Sequence, residues 1–366
     1  MACKLSLKKR INNFNCGASR SFGRNYTIPR RHSMFLPVLY FFSILIIFSC
    51  AGPESSRAEF ALGTVCHITL FEQGRDKVYN DVFTRIREIE NLMSVNIPSS
   101  DISRVNAAAG IEPVPVHEET FAVIQRALYY AKLSDGVFDP SVGPLVSLWG
   151  IGGDKPRVPR LEEINETLPL VNWRDIEIDP VTRSVFLKRR DMALDLGAVA
   201  KGYAADEAAA IIKNAGIERA IIDLGGNIVA LGQRNDKNPW RIGIQNPNDD
   251  RNKYIGILQV TENSVVTSGV YERFFEEEGR RYHHIFLPES GYPVENGLLS
   301  VTIIAHNSID ADALSTAVFV LGYERGRELI DSLFETEAVF IFNDSSVRKT
   351  SGANFSLTDK TFRLEE

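Results

Sequence analysis

Hydrophobic residues recur along this chain with the two periods that distinguish helices from strands. Apolar residues three and four positions apart fall on one face of a helix, whereas short alternating or continuous apolar runs fit strands. The first pattern predicts helices over 82–93, 121–131, 204–215 and 310–321. The second predicts strands at 64–70, 220–224, 240–244, 255–260 and 301–305. Strands and helices therefore intermix, which predicts an α/β or α+β fold with no clear internal domain boundary.

The first 53 residues differ from the rest in charge and hydropathy. They contain eight Lys and Arg side chains and no Asp or Glu, and the uncharged stretch Met34–Phe48 ends just before Cys50. This 15-residue stretch is short for a spanning helix, which needs about 20 apolar residues, and fits the apolar core of a secretory signal. Because Ile47-Phe48-Ser49-Cys50 resembles a bacterial lipobox, we expect residues 1–50 to be an export segment lipidated at Cys50. A signal without lipid is the alternative, and Met34 is an alternative start.

Residues 54–366 form the second predicted unit, which is strongly acidic. Of the 41 basic and 47 acidic side chains of the chain, 33 and 47 lie here, a net charge of −14. Such a balance argues against a nucleic-acid partner. Processing at Cys50 would leave Cys66 as the single thiol, so we expect no internal disulfide and a buried strand position for Cys66. Segment 150–172 has three prolines among charged residues and predicts an excursion on the surface.

Segment 194–203 combines features that suit a phosphate. An apolar strand ends at Asp195-Leu196-Gly197, and a helix follows with Lys201 in its first turns. Exposed backbone N–H groups, the helix dipole and an ammonium group together favour a phosphate or pyrophosphate. The order of residues is not that of a P-loop, and the chain contains no GxGxxG motif, so a nicotinamide-type Rossmann site is not expected.

Three other segments hold groups suited to chemistry. Residues 135–150 include two Pro and three Gly in an apolar stretch, which indicates a rigid, irregular loop with either a structural or a binding role. His283 and His284 follow a Thr-Ser-Gly turn, and in an extended chain they point to opposite faces, so at most one is expected in a site. Asp312 and Thr316 lie four residues apart on one helical face and offer hard oxygen ligands for Mg²⁺. Capping of the helix by acidic residues is the alternative there.

Seven co-linear segments together resemble the ApbE family of flavin transferases and cover roughly residues 60–325. They are Gly63-Thr64, 135–150 (DGVFDPSVGPLVSLWG), 195–206 (DLGAVAKGYAAD), 223–227 (DLGGN), 267–269 (TSG), 283–294 (HHIFLPESGYPV) and 311–317 (ADALSTA). The resemblance implies a T-fold-like α/β protein with an inserted helical portion. It also implies a Mg²⁺-dependent FAD:protein FMN transferase, which moves FMN from FAD onto a Thr or Ser hydroxyl of a flavoprotein and releases AMP.

The resemblance assigns roles to particular residues. His284 matches the proposed general base, which deprotonates the acceptor hydroxyl. Mg²⁺ would be held by Asp312 and Thr316, with the main-chain carbonyl of Ala198 and with Ser315. The residues implied to contact FAD are Leu62 (where the family usually has Met), Val137, Phe138, Asp139, Asp195, Lys201 and Phe286. The chain departs from the family pattern at Asn96, Val270 and Leu287.

The same resemblance implies the setting of the reaction. Acceptors would be exported or membrane flavoproteins, such as subunits of the sodium-translocating NADH:quinone reductase or of Rnf-type complexes. Together with the predicted export segment, the resemblance predicts an inner-membrane lipoprotein that faces the periplasm. Two alternatives remain open at this point: an FAD pyrophosphatase that releases FMN and AMP, and a non-catalytic FAD-binding lipoprotein.

Overall fold

The structure is a computed structural model that describes residues 55–72, 76–234, 236–249 and 253–365. The predicted export segment 1–50, including Cys50, lies outside the described residues, so the predicted processing and lipidation stay predictions. Within the described ranges, no helix combines the length and apolar character needed to cross a membrane.

Strands and helices alternate irregularly along the described chain. The strands, in chain order, are β1 (Ser55–Ala61), β2 (Thr64–Leu70), β3 (Val114–Pro115), β4 (Ile176–Asp179), β5 (Ser184–Leu187), β6 (Ala220–Leu224), β7 (Asn227–Leu231), β8 (Trp240–Gln245), β9 (Tyr254–Val260), β10 (Asn263–Gly269), β11 (Phe274–Glu277), β12 (Arg280–His283), β13 (Leu298–Ala305), β14 (Glu337–Phe342), β15 (Ser346–Lys349), β16 (Phe355–Leu357) and β17 (Arg363–Leu364). The helices are α1 (Asp76–Met93), α2 (Asp101–Ala107), α3 (Glu118–Leu133), α4 (Gly143–Trp149), α5 (Leu161–Thr167), α6 (Ala200–Asn214), α7 (Ser308–Leu321) and α8 (Tyr323–Asp331), with 3₁₀ turns at Leu168–Leu170 and Trp173–Asp175.

A nine-stranded sheet organises the fold, in the order β1-β2-β6-β7-β10-β13-β14-β15-β17. Its neighbours pair antiparallel except β15 and β17, which are parallel. Successive residues of a strand point to opposite faces. Accordingly, Val266 and Ile303 face the helical side, whereas their neighbours Val265 and Ile304 face the opposite side. The centre of the sheet is therefore buried on both faces, which explains its nearly continuous apolar strands.

Helices cover one face of this sheet and a smaller sheet covers the other. The helical core includes α1, α3, α6 and α7, and α7 packs against α6, α8, β10 and β13. Because α7 is enclosed on so many sides, ten of its 14 residues are buried. The opposite face is covered by the three-stranded sheet β16-β9-β8, whose Trp240 and Phe355 pack onto the central strands. A second small sheet, β3-β5-β4, and the hairpin β11-β12 complete the described part.

The mixed α/β class predicted from the sequence is confirmed, and the helices and strands predicted from apolar periodicity have counterparts. The strand predicted to end at Asp195 is wrong, because residues 194–196 have irregular backbone and the neighbouring Ala193 forms an isolated bridge with Val142. Cys66 lies in β2, fully buried, and burial raises the pKa of its thiol to about 11. Segment 150–172 differs from a simple surface excursion. It contains α5, and Ile164 of that helix is fully buried beside Leu145 and Trp149 of α4. Ile151 of the same segment is buried in this cluster too, so the segment contributes to the core despite its many charged residues.

Candidate active site

The first turn of α6 meets α7 at a buried carboxylate. Asp312 of α7 is only 4 % exposed, and its Oδ2 accepts a hydrogen bond of 2.9 Å from the backbone N–H of Gly202. The Nζ of Lys201 lies 3.4 Å from Oδ1 of Asp312 and also donates to the carbonyl oxygen of Gly197 at 3.2 Å. Lys201 therefore links the turn before α6 to the carboxylate on α7.

The close approach of α6 and α7 depends on a glycine. A Cβ at Gly202 would lie 2.6 Å from Cα and 2.7 Å from N of Ile309, and still closer to the carbonyl oxygen of Ser308. One turn further along α6, Asp206 accepts hydrogen bonds from the backbone N–H groups of Ser308 (2.7 Å) and Ile309 (2.9 Å). These are orphan donors at the start of α7. Burial nevertheless raises the pKa of Asp206 to about 6.

Hydroxyl groups surround the same part of α7. The Oγ of Ser268, at the end of β10, lies 2.8 Å from Oγ of Ser315 and 3.4 Å from Oγ1 of Thr316. Ser315 donates its own proton to the main-chain carbonyl of Asp312 at 2.8 Å, so its hydroxyl lone pairs remain available as acceptors or ligands. The structure thus brings together three of the four predicted metal-binding residues, and Ala198 lies in the turn just before α6.

This oxygen set fits a hard cation that keeps part of its coordination for water or phosphate. Mg²⁺ is commonly held by only one or two carboxylates plus substrate phosphates. Within the described ranges no group of three or more His, Cys, Asp or Glu side chains has the arrangement of a metal site. Asp312 would be the single carboxylate, with Ser315 and Thr316 as neutral oxygen donors. The assignment of these residues to Mg²⁺ stays a prediction.

His284 is a neutral histidine with one free ring nitrogen. Its Nδ1 lies 3.2 Å from the carbonyl oxygen of Arg273, and its backbone N–H donates to the same oxygen at 3.1 Å. Because a carbonyl oxygen only accepts, Nδ1 carries the proton and Nε2 keeps its lone pair. The pKa of His284 is lowered to about 3, chiefly by burial and in part by the positive charges of Arg273 and Lys201. At neutral pH the ring is therefore a proton acceptor.

His283 is engaged structurally. Its Nε2 donates to the carbonyl oxygen of Val294 at 3.0 Å, and its Nδ1 accepts from the N–H of Ile285 at 3.3 Å. Both ring nitrogens are thus used, and the ring meets Phe319 edge-on. Burial lowers the pKa of His283 as well. Of the two adjacent histidines, only His284 has a nitrogen left for chemistry.

The predicted FAD-contacting residues of the first glycine-rich loop are mostly inside the protein. Phe138 and Asp139 are buried, and Val137 is half-buried. The carboxylate of Asp139 accepts from the N–H (2.8 Å) and Oγ (2.6 Å) of Ser141 and from the N–H of Trp173 at 2.9 Å. Burial raises the pKa of Asp139 despite these bonds. The carboxylate of Asp139 therefore stabilises the conformation of the loop to which it belongs. Contact of this loop with FAD stays a prediction.

Asp195, Leu62 and Phe286 occupy three different surroundings. Asp195 is half-buried, its N–H donates to the carbonyl oxygen of Pro140 at 2.9 Å, and its Oδ1 accepts from the N–H of Gly197 at 2.7 Å. Leu62 lies in the two-residue turn between β1 and β2 at a φ of 53°, a strained value for a leucine. Phe286 is 5 % exposed, and its ring centroid lies 5.9 Å from that of Trp149.

Sequence reasoning alone missed several of the residues that shape this region. Gly202 and Asp206 act through contacts with Ser308 and Ile309, about 100 residues away in the chain. The sequence indicates Ser268 only as part of a Thr-Ser-Gly turn, whereas in the structure it lies in β10. The DLGGN segment contacts the start of α7, because Oδ1 of Asn227 accepts a hydrogen bond from Oγ of Ser308. No local signal in the sequence indicates these contacts, since they depend on the pairing of distant elements.

The carboxylate of Asp312, the ammonium group of Lys201 and the hydroxyl groups of Ser268, Ser315 and Thr316 form a polar cluster where α6, α7 and β10 meet, an arrangement suited to a phosphorylated ligand. The comparisons with known proteins agree. The sequence model of the ApbE family matches residues 62–340, and the chain therefore belongs to the ApbE family. The prediction of that family is confirmed.

Relatives with assigned activities support the enzyme class. The chain is 38 % identical over 340 residues to an FAD:protein FMN transferase of Treponema pallidum, covering 87 % of this chain and 94 % of that protein. It is 42 % identical over 262 residues to one from Klebsiella pneumoniae, covering 70 % and 81 %. We conclude that this chain is a transferase, as predicted.

Solved structures show the same fold. The ApbE protein of Thermotoga maritima superimposes with a TM-score of 0.74 at 33 % identity, over 84 % of this chain and 98 % of that one. The flavin transferase ApbE from Vibrio cholerae gives a TM-score of 0.71 at 28 % identity, over 85 % and 99 %. The predicted ApbE-type architecture is thus confirmed.

Proposed function

We propose that this protein is a Mg²⁺-dependent FAD:protein FMN transferase, which moves FMN from FAD onto a Thr or Ser hydroxyl of an exported or membrane flavoprotein and releases AMP. The observation that carries the proposal is the hydrogen bonding of the His284 ring. Its Nδ1–H is held by the carbonyl oxygen of Arg273, so its Nε2 is free to accept a proton. A hydroxyl nucleophile of high pKa needs such a base.

The groups around α7 would bind the pyrophosphate. Lys201 supplies a positive charge beside Asp312, and the hydroxyls of Ser268, Ser315 and Thr316 lie within one cluster. When bound, Mg²⁺ supplies charge neutralisation at phosphate oxygens, which is the main requirement of phosphoryl transfer. Asp312 and Thr316 would hold that ion, with Ser315 and the carbonyl of Ala198.

In the proposed reaction the acceptor hydroxyl approaches His284. Nε2 takes the hydroxyl proton as the oxygen attacks the FMN phosphorus, and the bond from that phosphorus to the bridging oxygen breaks. AMP leaves with the bridging oxygen and its electron pair. Lys201 remains protonated and holds the anionic substrate in place.

A direct assay tests the transfer. The protein is incubated with FAD, Mg²⁺ and a polypeptide acceptor containing a DxxTGAT-type segment, and the acceptor mass and AMP are followed together. Transfer predicts one FMN added per acceptor, with equal AMP. AMP without modified acceptor would identify an FAD pyrophosphatase, and bound FAD without either product would identify a flavin-binding protein.

The role of His284 is tested with a matched pair of variants. His284→Gln keeps a polar side chain but has no comparable base, so we expect transfer to slow by about 10²–10⁴-fold with FAD affinity unchanged. His67→Gln changes an exposed histidine of β2 and should leave transfer unchanged. Loss of FAD affinity in His284→Gln, with normal chemistry on the FAD that binds, would contradict the assignment as base.

We further propose that the protein acts as a lipoprotein anchored through Cys50 to the inner membrane, facing the periplasm. The supporting features are the basic head, the apolar stretch and the lipobox-like order before Cys50. Subunits of a sodium-translocating NADH:quinone reductase or of an Rnf-type complex are the proposed acceptors. Cys50→Ser should abolish incorporation of labelled fatty acid and move the protein to the soluble fraction of the envelope. Unchanged labelling would contradict the anchor.

A further inference from the structure

Arg273 lies where the candidate base and two glycine turns meet. It follows β10 in the loop that leads to β11, and its carbonyl oxygen holds the ring of His284. The side chain of Arg273 passes close to two glycines, Gly152 and Gly63. A Cβ at Gly152 would lie 3.4 Å from Cδ of Arg273, and one at Gly63 would lie 3.6 Å from its Nη2. Gly152 and Gly63 have φ values of 85° and 69°.

The guanidinium of Arg273 is not neutralised by the protein. The side chain is exposed, and within the described ranges it forms no ion pair or hydrogen bond with a carboxylate. Lys201, by contrast, has Asp312 at 3.4 Å. The positive charges of Arg273 and Lys201 both lower the pKa of His284. The region therefore has a surplus positive charge beside the predicted base.

A planar guanidinium presents paired N–H donors that match two phosphate oxygens. A dinucleotide joined by a pyrophosphate carries two negative charges at its centre. Lys201 lies beside Asp312 at the start of α6, and Nη2 of Arg273 lies beside Gly63, in the turn between β1 and β2. The two glycines keep the path of the Arg273 side chain open.

We propose that Arg273 binds the pyrophosphate of FAD through its guanidinium group and stabilises the charge on the AMP phosphate as it leaves. This inference rests on the proposed transfer of FMN from FAD. As the acceptor oxygen bonds to the FMN phosphorus, the bond from that phosphorus to the bridging oxygen breaks and AMP departs with the electron pair. The hydroxyl proton goes to Nε2 of His284. Arg273 stays protonated throughout and exchanges no proton.

The test measures FAD binding by calorimetry, in the presence of Mg²⁺ and without acceptor, at several salt concentrations. Arg273→Gln should weaken FAD binding by about 10–100-fold, the effect of losing a charge-assisted hydrogen bond. Its dissociation constant should also depend less on salt, since one cation is gone. Arg273→Lys keeps the positive charge but lacks the paired N–H donors of a guanidinium. Its FAD affinity should therefore lie between those of the parent and of Arg273→Gln.

Arg241→Gln is the matched control. Arg241 is an exposed arginine of β8, in a separate sheet, and no ion pair of it is found among the described residues. This variant should bind FAD as the parent protein does. FAD binding by Arg273→Gln within twofold of the parent would overturn the inference. So would weaker binding with an unchanged salt dependence, because that result would mean a disturbed loop and not a lost contact with phosphate.

The outcome is separable from that of the proposed function. If the parent protein modifies its acceptor while FAD binding is insensitive to Arg273, the transfer stands and this inference fails. If FAD binding depends on Arg273 while no acceptor is modified, the inference about binding stands and the transfer fails.

Discussion

Gly202→Ala should loosen the junction on which the candidate site is built. The added Cβ would meet Cα and N of Ile309 at 2.6 and 2.7 Å, and these are backbone atoms that no rotamer change can move aside. Ordinary contact begins at 3.4 Å, so the start of α6 must move away from α7 by at least about 0.8 Å, and by more to clear the closer carbonyl oxygen of Ser308. The hydrogen bond from Gly202 to Oδ2 of Asp312, now 2.9 Å, would then be too long to persist.

Three contributions set the expected loss of stability. Overpacking costs about 1–3 kcal/mol, and the lost hydrogen bond to a carboxylate costs about 1.5–3 kcal/mol. The higher helix propensity of alanine offsets about 1 kcal/mol. The free energy of unfolding should therefore fall by about 1.5–5 kcal/mol, measured by urea denaturation. Because Asp312 loses its fixed position, FMN transfer should fall about tenfold or more at saturating FAD.

Gly326→Ala is the matched control for this prediction. Gly326 is a buried glycine of α8 that also faces α7, but the nearest atom to its added Cβ would be Cγ1 of Val318, a side-chain atom, at 2.8 Å. We expect a smaller loss of stability and unchanged transfer by the folded protein. If Gly202→Ala is as stable and as active as the parent, then the close approach of α6 and α7 does not position Asp312, and the reasoning is refuted.

Two further predictions concern charge. Asp312→Ala should abolish Mg²⁺-dependent turnover, while the protein still folds as judged by circular dichroism; retained turnover would remove Asp312 from the metal site. Burial holds the pKa of His284 at about 3, below its unfolded value of about 6.5, so stability is lost as pH falls through this range, by at most about 1.4 kcal/mol per pH unit. The raised pKa of Asp206 acts in the opposite direction below pH 6, so the measurement must compare denaturation of the parent with His284→Gln from pH 7 to 4. As pH falls, the free energy of unfolding of the parent should decrease more than that of His284→Gln. Equal pH dependence of the two proteins would show that His284 is not held neutral by burial.

Local patterns were sufficient for the elements that bury one regular face. The helix predicted over 204–215 corresponds to α6, and the strand predicted at 220–224 matches β6 residue for residue. In these segments the apolar periodicity can be recognised from consecutive residues of the sequence alone. The catalytic candidates His284 and Asp312 were also accessible from sequence, because their residue types and spacing, together with the family resemblance, point to them.

Elements with little apolar content were not predicted. The edge strand β1 has mostly exposed side chains, and in the hairpin β11-β12 four of the eight strand residues are charged and only His283 is buried. Such strands are stabilised by pairing with a partner strand and not by an apolar face of their own, so their sequences carry little signal. The hairpin matters for function, since Arg273 precedes its first strand and His284 follows its second.

The surroundings of Asp312 explain why the site needs several separate segments at once. A buried carboxylate is costly unless its charge is compensated. Oδ2 has one good donor, the N–H of Gly202. For Oδ1, the donor found among the described residues is Nζ of Lys201 at 3.4 Å, beyond the usual 2.7–2.9 Å of a charge-assisted hydrogen bond. Compensation is therefore incomplete in the protein alone, and a cation beside Oδ1 would complete it. The carboxylate lies on α7, its donors lie on α6 and the hydroxyl of Ser268 lies on β10, so the cation affinity of the proposed site would depend on the packing of all three elements. For that reason a mutation at Gly202, which touches no substrate, is expected to act on the chemistry.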